Sequence, residues 1–255
     1  VAVNYSMGLA AEGVPVSLID LDVVKPYFRS RSARDQLLAA GVELVAPSGE
    51  NYYADLPIII PRVRALCQDK NRRIVMDLGG DEAGARVLGS LADVVDPAEV
   101  ETAAVVNFRR PLTPDPAAAV AMIRGIEGFA RLRVSGIIAN THLMNFTTPE
   151  IVRAGYVMAV ETARLVGTKV MAVCVPSVLK DDFEADEFDC EIFPISRVIR
   201  TTFAADTNPE SLSDQGFATS PGRAPGPAGN AVEGRYGVRK VGPLFVPAAM
   251  PDEEG

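Results

Sequence analysis

Two stretches, PVSLIDLD at residues 15–22 and RIVMDLGGD at residues 73–81, decide how this chain folds. Each is a short, nearly unbroken apolar run that stops in acids. A strand with one wet face alternates apolar and polar residues, whereas a parallel strand covered by helices on both faces reads as a continuous apolar run. Both stretches are of the second kind. Their charges, Asp20, Asp22 and Asp77, fall where the strands should end.

Outward from these strands the pattern repeats. Upstream, Val3, Met7 and Ala10 or Ala11 share one helical face, and Gly13 stops that helix. Between the two strands, 32–40 reads as a helix closed by Gly41, 42–45 as a strand, and 47–51 as a turn. Pro61 is expected to open a further helix to about Asp69, since proline is tolerated in a first helical turn. Beyond Asp77 a Gly79-Gly80-Asp81 turn leads into a helix through Leu91. Strands follow at 102–107, 135–140 and 169–175, separated by helices at 116–132 and 149–166, the last closed by Gly167.

Strands alternating with helices of this length imply βαβ units, right-handed crossovers and a doubly wound, mostly parallel α/β sheet. Ligands of such sheets bind beyond the carboxyl ends of the strands. Asp20, Asp22, Asp77, Asn140 and Pro176 all gather there. The pattern fails from about Thr201, and TSPGRAPGPAGNAVEG at 219–234 has almost no large apolar residue. The expected organisation is one domain over residues 1–200 and a mostly disordered tail over 201–255.

Composition narrows the chemistry. With 255 residues, 48% of them hydrophobic, and no run near the roughly 18 apolar residues of a membrane-spanning helix, the expectation is a soluble protein. A net charge of −8 argues against the phosphate backbone of nucleic acid as the main partner, because that affinity rests on Lys and Arg. Cys67, Cys174 and Cys190 form neither a CxxC pair nor a disulfide framework, which fits a reducing cytoplasm. His142 is the single histidine, so a multi-histidine metal site is excluded by counting.

Acids at successive strand ends, one beside paired glycines, suit a metal-dependent nucleotide site. Mg²⁺ is held by one or two carboxylates together with the phosphates, and a further acid can position an attacking water. Each acid taken singly reads equally as a cap or loop residue.

The segment VAVNYSMGLAAEGVPVSLIDLD at 1–22 resembles the helix and strand that follow the phosphate-binding loop in MinD/ParA/CobQ-type ATPases. MDLGG at 76–80 resembles that family's metal-acid strand and second switch, IIANTH at 137–142 its adenine-contacting asparagine, and VCVPS at 173–177 the loop over the base. The resemblance covers about residues 1–200. It implies a P-loop fold lacking its first strand and phosphate loop, with ATP and Mg²⁺ as cofactors. It gives Asp22 the attacking water, Asp20 and Asp77 the metal, Gly79 and Gly80 the γ-phosphate, and Asn140 and Pro176 the base.

The loop motif G-x-x-x-x-G-K-[ST] does not occur in residues 1–255, so upstream residues are expected to carry it and this chain alone is expected to be inactive. The implied task is an ATP-hydrolysing switch acting through a protein partner, with a homodimer possible by analogy. Two alternatives stand beside it: a synthetase phosphorylating a substrate carboxylate, and a nucleotide-free binding module.

Arg29, in KPYFRSR at 25–31, is expected near the phosphates or a bound anion, or else on a solvated helix entry. Arg109 and Arg110 occupy another strand-end loop, as anion contacts or as plain surface charge. His142 reads more readily as a hydrogen-bonded loop residue than as a catalyst.

Overall fold

The computed structural model describes residues 1–22, 30–46, 52–198 and 244–247. In chain order the elements are α1 (Ala2–Ala11), β1 (Val16–Asp20), α2 (Arg34–Ala39), β2 (Glu43–Val45), α3 (Tyr52–Gln68), β3 (Arg73–Asp77) and α4 (Glu82–Gly89). They continue with β4 (Thr102–Val106), α5 (Pro116–Ala130), β5 (Gly136–Ala139), α6 (Pro149–Val166), β6 (Lys169–Pro176), β7 (Glu191–Ile195) and β8 (Leu244–Pro247).

The strands form one sheet in the order β2-β1-β3-β8-β4-β5-β6-β7, and every neighbouring pair is parallel. The two-residue period of each strand sorts its side chains onto two faces. On one face Ile19, Ile74 and Met76 pack with Val63 of α3, Ala85 and Leu88 of α4 and Ile126 of α5. The same layer continues over Ala104, Val106, Ile137 and Val173 beneath α5 and α6. On the opposite face Leu18, Val75, Val105, Ile138 and Cys174 join Val3, Tyr5 and Leu9 of α1 and Leu37 of α2. Helices therefore cover both faces, and the doubly wound α/β architecture expected from the strand runs is present.

The structure departs from or adds to the expected pattern at three places. Pro61 lies inside α3 instead of opening it, although an interior proline removes a helical hydrogen bond and costs about 3 kcal/mol. Packing accounts for the helix's persistence: Val63 is fully buried, and Ile60, Leu66 and Cys67 pack against the same core. Strand β7, for which the sequence reading offers no element, carries Pro194, which a central strand would not tolerate. It pairs only with β6, and an edge strand has no second ladder to break.

The third concerns the tail. Within 201–255, Leu244–Pro247 forms a strand at the middle of the sheet, paired with β3 through Met76 and Asp77 and with β4 through Thr102 to Val105. No direct pairing joins β3 to β4. This segment from near the end of the chain is what makes one sheet of a three-stranded and a four-stranded half. The rest of 201–255 lies outside the described residues.

Candidate functional site

Chain order along the sheet reverses between β1 and β3, and the carboxyl edge at such a reversal is the usual ligand crevice of an open α/β sheet. The acids noticed in the sequence lie beside it. Asp20 and Asp77 are register partners on the adjoining strands β1 and β3. The pairing continues one residue further, where Leu21 N–H donates to the Asp77 carbonyl at 2.8 Å. Asp20 and Asp22 are buried, and the Asp22 N–H donates to Asp20 Oδ1 at 3.2 Å, which folds the chain back at the strand end.

The Ser30 hydroxyl donates a hydrogen bond to Asp77 Oδ2. Burial pushes the Asp77 carboxyl up to about 7, with the neighbouring Asp20 charge adding to the shift and the Ser30 bond opposing it. At neutral pH this carboxyl is poised between its two protonation states. It can give up its proton to a cation that binds beside it.

Gly79 and Gly80 are buried at the turn after β3. A Cβ on Gly79 would stand 3.2 Å from Asp22 Oδ1 and 3.3 Å from Asp81 Oδ1, so the glycine lets its backbone sit against both carboxylates. Asp81 caps α4 through a 2.8 Å bond from the Gly84 N–H. Gly84 is needed for close packing: a Cβ there would fall 2.3 Å from the Gly79 carbonyl oxygen. Turn, cap and helix start thus form one rigid piece against the end of β3.

Among the described residues, no group of three or more His, Cys, Asp or Glu side chains is placed to hold a metal ion unaided. A Mg²⁺ ion does not need one, since it keeps several waters and shares its remaining positions with phosphate oxygens.

The other expected residues lie further along the same carboxyl edge. Asn140 follows β5, and its N–H donates to the Val106 carbonyl at 2.8 Å. Its side-chain Oδ1 is buried with no hydrogen-bond partner, a deficit worth about 1–3 kcal/mol that a donor from a ligand would relieve. Pro176 ends β6, in register with Ile195 of β7. From β3 to β5 is three strand intervals, about 14 Å at the usual spacing, comparable with the length of an extended nucleoside triphosphate.

Arg29 lies outside the described residues, so its expected contact has no structural counterpart. Reading the sequence missed Ser30, Asp81 and Gly84. The last two carried a signal, because GGDEAG places a capping acid and a second glycine at helix-start spacing. Ser30 carried none, because its bond to Asp77 spans 47 residues.

No family model and no curated protein sequence matches this chain. Among solved structures, D-threo-3-hydroxyaspartate dehydratase from Delftia sp. HT23 is similar at 18% identity over 68% of this chain and 52% of that one, with a TM-score of 0.32. Its C353A mutant in the metal-free form is similar at 16% identity, with the same coverages and TM-score. The chain spans about half the length of those proteins. A superposition of that quality says nothing about shared chemistry.

Proposed function

We propose that this chain is the nucleotide-binding part of a Mg²⁺-dependent, ATP-hydrolysing switch protein of the MinD/ParA/CobQ type, acting in the cytoplasm through a protein partner. The observation that carries the reading is the in-register pair Asp20 and Asp77 on adjoining parallel strands, with the Gly79 backbone packed against Asp22 beside them. Independent caps or loop acids would not converge in this way on the point where the sheet reverses.

In this reading Asp77 and Asp20 hold the metal, directly or through water, and Ser30 orients the Asp77 carboxylate by its hydroxyl. Asp22 accepts a hydrogen bond from the attacking water. The Gly79-Gly80 turn would supply backbone N–H groups to the terminal phosphate, and a contact made there would reach α4 through the close approach of Gly84 to Gly79. Asn140 offers its unpartnered oxygen to the base, with Pro176 alongside. When bound, Mg²⁺ would neutralise charge on the phosphates. The reading also requires a Gly- and Lys-bearing phosphate loop, which is not among the 255 residues. A homodimer is the assembly that analogy favours.

A second reading, a synthetase that phosphorylates a small carboxylate, draws on Arg109 and Arg110 at the end of β4, neither of which joins an ion pair among the described residues. Steady-state ATP turnover by the protein expressed from its intact gene separates the two. The switch reading predicts stimulation by a partner protein or by rising protein concentration. Stimulation by small carboxylates alone would replace it with the synthetase.

A further inference from the structure

The loops after β4 and β5 border an open cleft of about 330 Å³ lined by Arg109, Arg110, His142, Leu143, Met144 and Phe146, a volume at the small end of the range for ligand sites. We propose that this pocket binds a small molecule that joins one oxyanion, a carboxylate or a phosphate, to an apolar or aromatic body. The proposal stands apart from the nucleotide reading and needs no nucleotide.

The charge is the first ground. In a chain of net charge −8, two adjacent arginines line one cleft and no described carboxylate pairs with either. Guanidinium groups present fixed forks of donors that match carboxylate and phosphate oxygens. An ordinary surface arginine in so acidic a protein has many carboxylates to meet, as the paired Arg72, Arg124, Arg153 and Arg164 do here.

The second ground is the opposite wall. Phe146 is 82% exposed, and Leu143 and Met144 stand about 40% exposed beside it. Scattered apolar residues on a surface are ordinary, but three within four positions facing two arginines make an amphipathic cleft. Met144 sits at φ 53°, a left-handed conformation that a residue with a side chain adopts at a cost of about 1 kcal/mol or more. Hydrogen bonds from the Thr147 hydroxyl and N–H to the Met144 carbonyl hold the wall in this form against that strain.

The third ground is that the pocket is built before any ligand arrives. The buried Asn107 ties the two loops together: its Nδ2 donates to the His142 carbonyl at 3.2 Å, and its Oδ1 accepts from the Arg109 N–H at 2.9 Å and the His142 N–H at 3.3 Å. The Thr113 hydroxyl and the Arg110 N–H both donate to the Asn107 carbonyl. His142 Nδ1 accepts from the Met144 N–H at 3.3 Å, which leaves Nε2 carrying the proton as a donor. Burial and the charge of Arg110 push His142 down to about 4, so at neutral pH it adds a neutral donor beside the two cations.

The test is calorimetric titration of the 255-residue chain, without nucleotide, using phenylacetate and phenyl phosphate as probes and acetate, inorganic phosphate and benzyl alcohol as controls. At least one probe should bind saturably and tenfold or more tighter than every control, and the better of the two identifies the anion. The R109Q/R110Q variant should lose tenfold or more in affinity, and F146S about fivefold, with circular dichroism unchanged in both. Amide shift changes in the unsubstituted chain should centre on residues 107–113 and 140–147, a readout that does not depend on any variant folding. Probes that bind no better than the controls, or shift changes centred elsewhere, would overturn the proposal.

Discussion

Replacing Asp77 by asparagine removes an ionisable group that burial and the Asp20 charge push up to about 7, and the direction of that shift fixes how stability should respond to pH. The folded-state pKa lies above the unfolded value near 3.8, so between those limits the folded chain binds more protons than the unfolded one. Stability contributed by this group is therefore present at low pH and falls as pH rises towards 7, the reverse of a salt-bridged aspartate. The full shift corresponds to about 4 kcal/mol, of which about 3 kcal/mol is lost between pH 5 and pH 8. Asparagine keeps an oxygen to accept the Ser30 hydroxyl and cannot ionise. Urea unfolding of both proteins in EDTA should give D77N an advantage that grows by about 3 kcal/mol from pH 5 to pH 8, roughly 6–12 °C in Tm for a domain of this size. A difference that does not vary with pH, or one that turns against D77N as pH rises, would refute the account of a carboxyl strained by burial.

Further substitutions probe the frame around it. Gly84→Ala drives a Cβ into the Gly79 carbonyl and should cost about 1–3 kcal/mol in chemical denaturation. Gly125→Ala, in α5 with nothing within 4 Å, should instead stabilise by about 0.5–1 kcal/mol. Ending the chain at residue 243 removes β8 and with it every hydrogen bond joining β3 to β4 through the sheet. Amides of Met76, Ala103 and Val105, which face β8, should then lose hydrogen-exchange protection by tenfold or more, while those of β6 and that of Thr102, held by Ser135 Oγ, keep theirs. Equal loss across all strands would show that the halves do not stand apart.

The parts of this architecture legible in the sequence were those written in local pattern. Apolar runs ending in acids located β1 and β3, and Pro149 and Gly167 bounded α6 to the residue. Pairing is a different matter. Nothing in 15–22 or 73–81 says that Asp20 and Asp77 share a register, because strand neighbours are chosen by the packing of distant segments. Strand β8 is the extreme case, four residues after a Pro- and Gly-rich stretch, placed in the sheet centre by its pairing with β3 and β4. Of the candidate site, the acids and glycines could be named from their positions at strand ends. Ser30 and the unpartnered oxygen of Asn140 could not, since each is defined by what surrounds it in space.

The most direct test of the nucleotide reading is titration of Mg²⁺-ATP into the protein expressed from its intact gene, beside its D77N variant. The reading predicts saturable binding that requires Mg²⁺ and weakens tenfold or more in D77N while the variant stays folded. No binding up to millimolar ATP, or binding indifferent to both Mg²⁺ and Asp77, would contradict it.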